Sequence, residues 1–406
     1  MDQLIDFRLL LPTGFETAME NLLIEQIVSF LPASSQLRCK TRGPWLCFPG
    51  FRHKELITPM KGFIALAALV FLPFSVVADE RGERDAIAEK VSGLFLSRDF
   101  QGLEEVATAY RAGSERTSAG MWKIRKFYGG IEDTVPKKDP DHENWSAAIE
   151  IIDEWLAAHP DSPTPYIAKA HILMHRAWAY RGTGYASTVE PGDAIQLKLH
   201  AAHSKGVLMQ SKRIASQDPE YYSILASIDL ALGSGEREYR KSLDEGLDRY
   251  PQYDELYFRG ARFYSPKWYG SEEALAAFAA EAVERTKNER GHELYARIYW
   301  AAGRDPDGIH YFRKPAANWP LMRSGIKDLV GRFPDQWNIN HLAFYSCLMR
   351  DLTLAGELIP MIEEPVLESA WYRRSNLEIC RRKIRDQESA LRNLPNRVKA
   401  NSSINR

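Results

Sequence analysis

The side chains best suited to chemistry lie in two short aromatic turns, of which the first follows Trp178. This turn contains Arg181, Gly182, Gly184 and Tyr185. Two glycines so close together let the backbone bend sharply or approach a ligand, and an arginine among aromatic rings can hold an anion or stack on a ligand ring. The alternative, which is favoured because arginine is common at helix ends, is that Arg181 pairs with a carboxylate and pins a connector. Because the turn follows a helix rather than a strand, it is not a dinucleotide-binding loop.

The second aromatic turn consists of Trp268 and Tyr269, just before Ser271, a residue suited to cap the next helix. If both turns lie at the same edge of the molecule, they could form a groove for a peptide or a glycan. If they lie apart, each is a packing corner, because tryptophan and tyrosine fill gaps between helices while one polar end stays hydrated. The sequence leaves both interpretations open.

His171 and His175 have the spacing that comes closest to a metal site. Four positions apart on one predicted helix, their imidazoles share a face and could hold zinc. No glutamate follows His171, so the signature His-Glu-x-x-His is absent, and a third ligand would have to come from His142, His159 or Asp161. Because His171 lies beside an apolar stripe, a histidine at the edge of the core is the favoured interpretation. We therefore expect no metal and no cofactor.

The chain has four cysteines, and two of them offer a disulfide. Cys39 and Cys47 precede a predicted signal peptide, so an exported mature chain keeps Cys347 and Cys380. Pairing these two would close a loop of about 34 residues, for which chain entropy suggests a stabilisation on the order of 3 to 4 kcal/mol. Two separately buried cysteines are the alternative.

From about residue 83 onward the apolar residues keep a helical period, and no segment alternates as a strand would. Ser162 and Pro163 are suited to open a helix that runs from about residue 164 to 180. Pro219 opens another, which Gly233 is suited to end in a left-handed conformation. Pairs of helices are therefore predicted.

The predicted helices are separated by a recurring junction. One helix ends just before a proline, and polar or aromatic residues then start the next helix. These junctions contain Pro160, Pro219, Pro251 and Pro334. Pro219 and Pro251 are 32 residues apart, close to the period of about 34 residues that is typical of tetratricopeptide repeats. The predicted fold is therefore all-α, a tetratricopeptide-like α-solenoid without significant sheet, whose concave surface would bind partners.

Residues 60–78 have the pattern of a secretory signal peptide, although they lie far from the start of the chain. Lys61 supplies a positive charge, 63–77 is apolar, and Ala78 ends a small-residue cleavage site. We expect cleavage before Asp79 and a periplasmic or secreted protein, with residues 1–59 an over-extended start. The alternatives are a membrane anchor through 61–77, with Met1 the true start and residues 1–59 a small helix pair, or a buried core helix.

Charge is nearly balanced over the chain, with 53 Lys and Arg against 54 Asp and Glu. This balance gives no general attraction to nucleic acid or to an anionic membrane, so neither is an expected partner. The exception is the basic tail from Arg373 to Arg406, for which a solvated final helix is the favoured interpretation. We expect a helical domain over 79–300 and a continuing helical region over 301–406.

Several strings of the chain are distinctive. They are Gly120–Lys123 with Phe127–Gly129, Trp155-Leu156 followed by His159–Ser162, Ala177–Ala186 and Pro266–Gly270. These strings resemble a bacterial family of exported helical proteins known as domain of unknown function 4034. The resemblance would span about residues 90–300, and the string at 181–186 is the most distinctive. It implies a helical, exported protein but no activity, cofactor or site residue.

Binding of a protein or peptide in the cell envelope is the function that the sequence favours. The chain contains no Gly-x-Ser-x-Gly, Walker-type or Cys-x-x-Cys signature. Helix pairs of this kind leave a surface for partners. The alternative is an enzyme or small-ligand receptor that uses the loops at 181–185 and 268–269.

Overall fold

The computed structural model of the protein describes residues 80–182, 188–303, 312–314 and 316–404, with side chains up to Arg392. All of them belong to the unit that runs from Phe74 to Arg406. The predicted signal peptide at 60–78, the segment 1–59, Cys39 and Cys47 lie outside the described residues. So do Gly184 and Tyr185.

The prediction of an all-α protein is confirmed. Among the described residues there are seventeen α-helices and no β-strand, and one antiparallel bridge joins Arg116 to Trp122. The helices are α1 (Glu80–Leu96), α2 (Phe100–Ala112), α3 (Lys123–Glu132), α4 (Asn144–Ala158), α5 (Pro163–Arg181), α6 (Pro191–Gln210), α7 (Lys212–Ala215), α8 (Glu220–Leu232), α9 (Glu236–Arg249), α10 (Asp254–Tyr264), α11 (Glu272–Arg290), α12 (Glu293–Ala302), α13 (Trp319–Arg332), α14 (Gln336–Leu348), α15 (Leu352–Leu358), α16 (Glu368–Trp371) and α17 (Arg374–Ile404).

Local capping sets the helix ends where the sequence predicts them. The Ser162 hydroxyl accepts a hydrogen bond from the amide of Thr164 and starts α5. Gly233 ends α8 at φ 73°, a left-handed conformation that glycine adopts without a steric penalty. Ser271 caps α11 by accepting from the amide of Ala274.

Neighbouring helices pack in the manner of stacked pairs. Consecutive helices such as α8 and α9 contact each other, and so do alternate helices, with α8 against α10 and α10 against α12. The apolar faces of these helices form one continuous core. Among the described residues, no helix is long and apolar enough to cross a membrane.

The loop between α2 and α3, residues 113–122, contacts helices far away in the sequence. The indole nitrogen of Trp122 donates to the carbonyl of Gln252 at 3.2 Å. The carbonyl of Ala119 accepts from Arg297 and from Asn338, each at 3.1 Å. A solenoid whose repeats contact only their neighbours does not predict such contacts. The described helices therefore form pairs, but the loop at 113–122 adds contacts between residues distant in sequence that an array with nearest-neighbour contacts alone lacks.

Asp254, the first residue of α10, is the centre of a buried ionic cluster. Its carboxylate lies 2.6 Å from Arg290, 3.2 Å from Arg116 and 3.6 Å from Arg297. Burial alone would raise the pKa of Asp254, but these three arginines hold it well below its ordinary value. The cluster joins the loop at 113–122 to α10, α11 and α12.

Cys347 and Cys380 form a disulfide, with the two sulfur atoms 2.00 Å apart. It connects α14 to the long C-terminal helix α17. Leu377 and Cys380, one turn apart on α17, are both fully buried. The first part of α17 is therefore fixed to the body of the protein.

The Asp254→Asn variant should be destabilised by about 3–5 kcal/mol, because three arginines lose the charge that balances them in a buried site. The matched control is Asp248→Asn, since the Asp248 side chain is 72% exposed and pairs with Arg285 at the surface. Such a pair contributes about 0–1 kcal/mol. Urea unfolding at neutral pH measures both changes, and equal stability of the two variants would contradict the prediction.

Candidate functional site

The structure brings the two aromatic turns together. The rings of Trp178 and Trp268 meet edge to face, with their centroids 6.1 Å apart. The guanidinium of Arg262 lies 5.2 Å from the first ring centroid and 4.7 Å from the second, and that of Arg181 lies 5.7 Å from each. We call these four residues the tryptophan corner. The two aromatic turns therefore lie together, as the groove interpretation of the sequence requires.

Helix ends hold the tryptophan corner in place. Trp178 and Arg181 lie in the last turn of α5, and Arg262 lies in the last turn of α10. Trp268 follows in the turn before α11, where its amide donates to the carbonyl of Ser265 at 3.0 Å. This turn is tight, because a Cβ at Gly270 would lie only 2.0 Å from the carbonyl oxygen of Tyr264.

The other predicted residues of the two turns have different positions. Gly182 ends α5 at φ 67°, and its amide donates to the carbonyl of Trp178. The ring of Tyr269 is tilted against that of Phe263, with centroids 5.3 Å apart, and its hydroxyl donates to the carbonyl of Leu230 at 3.4 Å. Tyr269 therefore packs on α8 and α10. Gly184 and Tyr185 lie outside the described residues.

A cleft of about 260 Å³ opens beside the tryptophan corner. Trp178 and Arg262 belong to both features, so the two form one continuous surface. The spacing of the α5 residues, i, i+3, i+4 and i+7, puts them on one face of that helix. The lining residues are Arg125 and Glu132 of α3, His171, Met174, His175 and Trp178 of α5, Ile224 and Ser227 of α8, and Arg259 and Arg262 of α10.

His171 lies between two carboxylates at the wall of the cleft. Its Nδ1 lies 2.6 Å from Glu132, and its Nε2 lies 3.1 Å from Glu220, an ion-pair distance. The Tyr253 hydroxyl donates to the other oxygen of Glu220 at 2.5 Å. The ring of Tyr128 stacks on the imidazole with centroids 5.1 Å apart. This arrangement links α3, α5, α8 and the start of α10.

The environment of His171 favours its charged form. Burial lowers the pKa of His171, but Glu132 and then Glu220 raise it by more, so the net shift is upward. Burial opposes ionisation of Glu132, but Arg125 and His171 hold its pKa well below the ordinary value. The pKa of Glu220 is also lowered, against burial, by the adjacent His171 imidazole and by Arg125. An imidazolium between two carboxylates is therefore the expected state below the raised pKa.

His175 shares the α5 face with His171, as the spacing predicts, but its surroundings differ. Burial lowers the pKa of His175, which favours the neutral ring. That ring lies 5.7 Å from the ring of Trp145. Both nitrogens of His171 lie against carboxylates, and no group of three His, Cys, Asp or Glu side chains in the described part of the chain is arranged to hold a metal ion.

Arg259 is a lining residue with unused hydrogen-bonding capacity. Its Nε donates to the hydroxyl of Ser223 at 3.2 Å, and its two terminal nitrogens have no hydrogen-bond partner among the described residues. Glu255 also interacts with this guanidinium: burial raises the pKa of Glu255, and Arg125 and Arg259 oppose that rise. A guanidinium carries five donors in a fork that matches a carboxylate.

Sequence reasoning missed most of the charged groups in the cleft. Arg259 and Arg262 are three positions apart on α10, and this spacing puts them near one face of that helix. Glu220 lies at a helix start, where acidic residues are common, and Glu132 is the last residue of α3. Only the packing of α3, α5, α8 and α10 brings them together.

No family model, curated protein or solved structure matches the chain. The resemblance to the exported helical family and to tetratricopeptide repeats therefore stays a prediction.

The His171→Gln variant should lose more stability at pH 6 than at pH 9. A raised pKa in the folded state adds stability that is fully present below about pH 6.5, the ordinary histidine value, and is lost as the pH rises through the folded-state value. At pH 6 we expect a loss of about 3 kcal/mol, because two buried glutamates lose their cation. Denaturant unfolding at both pH values measures it.

The control for this prediction is His203→Gln, which alters an exposed histidine on α6 and should leave stability nearly unchanged at both pH values. A loss for His171→Gln that is equal at pH 6 and pH 9, or larger at pH 9, would contradict a charged His171.

Proposed function

We propose that the protein binds a peptide segment of a partner protein across the tryptophan corner and the adjoining cleft. The observation that carries this proposal is that Trp178 and Arg262 belong to both features. Tryptophan and arginine are the residue types that contribute most to binding energy at protein interfaces. A surface with two aromatic rings in edge-to-face contact beside a cationic cleft suits a segment with an apolar side chain and a carboxylate.

Export to the periplasm or outside the cell is part of the proposal. Residues 60–78 have the composition of a signal peptide. The Cys347–Cys380 disulfide supports the same compartment, because disulfides persist in oxidising surroundings and are rare in the cytosol. Membership of the exported helical family is proposed on the strings that resemble it.

A receptor for a small ligand is the second candidate. The volume of the cleft, about 260 Å³, is near the lower end of the roughly 300–1,000 Å³ that is usual for ligand pockets. A small acid would occupy it without contacting Trp268. The dependence of binding on Trp268, which belongs to the tryptophan corner but does not line the cleft, distinguishes the two candidates.

Selection of a random peptide library against the purified protein tests peptide binding. We expect a consensus with an apolar residue and a carboxylate, and a peptide of this type should bind Trp268→Ala at least about 30-fold more weakly than wild type, as for an interface residue of large effect. Calorimetric titration measures the change.

The matched control is Trp300→Ala, since Trp300 is also half-buried but packs against His341 and Tyr345. It should bind the peptide like the wild type. Circular dichroism and thermal unfolding establish that both variants fold. Failure of the library to yield any consensus, or wild-type affinity in Trp268→Ala, would contradict the proposed function.

A further inference from the structure

We infer that the cleft holds a carboxylate through the terminal nitrogens of Arg259, with an apolar group of the same ligand beside Trp178, Met174 and Ile224. This inference rests on the proposed function and names the ligand chemistry of the same site. The ligand is the C-terminal residue of a polypeptide or a free small acid, since the two share a carboxylate next to an apolar group.

Two neighbours hold Arg259, one at its backbone and one at the Nε of its side chain. The Tyr239 hydroxyl donates to the backbone carbonyl of Arg259 at 2.8 Å, and the Arg259 Nε donates to the Ser223 hydroxyl at 3.2 Å. The two terminal nitrogens, which have no hydrogen-bond partner among the described residues, belong to a side chain that lines the cleft. A partly buried guanidinium in this state favours an anion with two acceptor oxygens.

Two other cations at the cleft wall, Arg125 and His171, have carboxylate partners. Arg125 lies 3.3 Å from Glu132 and 3.6 Å from Glu220, and the same two glutamates flank His171. Arg259 is left without a carboxylate within ion-pair distance among the described residues. The apolar side chains that also line the cleft favour an acid with an apolar group over inorganic phosphate.

Part of the cleft lining is apolar. Met174 and Ile224 are almost fully buried, and Trp178 closes the cleft on the side of the tryptophan corner. At about 30 Å³ for each molecule, the cleft has the volume of about nine waters. It therefore suits one residue or a small acid rather than a folded segment.

Calorimetry with three probes tests the ligand chemistry on the full chain. The probes are N-acetyl-L-phenylalanine, its primary amide and inorganic phosphate. We expect saturable binding of the acid at least about tenfold tighter than that of the amide, because hydrogen bonds to a charged group are the stronger ones. Phosphate should not compete with the acid. Equal binding of acid and amide, no saturable binding of the acid, or displacement of the acid by phosphate would overturn the inference.

Variants of Arg259 test whether the acid binds through this residue. Arg259→Gln should reduce affinity for the acid at least about tenfold and leave affinity for the amide unchanged, while Arg259→Lys should fall between, because it keeps the charge but not the fork. The control is Arg237→Gln, since the Arg237 side chain is 93% exposed. Wild-type affinity for the acid in Arg259→Gln would overturn the inference. If that variant does not fold, Arg259→Lys and the comparison of acid with amide decide.

The library peptide distinguishes the two ligand sources. If the peptide binds at least tenfold more weakly when its C-terminus is amidated, the ligand is a chain end. If the acid binds through Arg259 but no library peptide binds, the ligand is a free acid and only the proposed peptide binding fails. If a peptide binds through Trp268 but is insensitive to amidation and the acid does not bind, the proposed function stands and the carboxylate inference fails.

Discussion

Three stacked helices of this protein each begin with a buried carboxylate that forms ion pairs with arginines. Glu220, Asp254 and Glu293 are the first residues of α8, α10 and α12, and at most 2% of each is exposed. The helix dipole favours a negative charge at this position, but burial makes it costly unless cations are supplied. The packing of these helices therefore depends on arginines that come from α3, α11, α12 and the loop at 113–122.

The ion pairs at the start of α10 connect these buried carboxylates to the cleft. Tyr253 donates to Glu220 on one side, and Asp254 binds the arginine cluster on the other. Further along the same helix, Arg259 and Arg262 line the cleft. Fixing the first turn of α10 by charge on both sides thus sets the position of two cationic side chains about one and two turns later. Buried ionic contacts of this kind contribute more to the geometry of a site than to net stability.

Periodicity and capping were sufficient to predict the helices but not their arrangement. Ser162, Gly233 and Ser271 act locally, so their roles could be predicted, whereas the contact of Trp178 with Trp268 depends on how α5 and α10 each pack against α8. The hydrogen bonds from Arg297 and Asn338 to the Ala119 carbonyl were not predicted, because a repeat pattern predicts contacts only between neighbouring repeats. Arg259 was missed because nothing in its sequence distinguishes it from a surface arginine. The buried start residues Glu220 and Asp254 lie 34 residues apart.

The central claim is that Arg259 makes the cleft a carboxylate site. A crystal structure of the protein grown with N-acetyl-L-phenylalanine tests it most directly. The account predicts the ligand carboxylate at about 2.7–2.9 Å from the terminal nitrogens of Arg259, with its ring against Trp178 and Met174. A ligand bound at another surface, or one whose carboxylate points away from Arg259 into solvent, would contradict it.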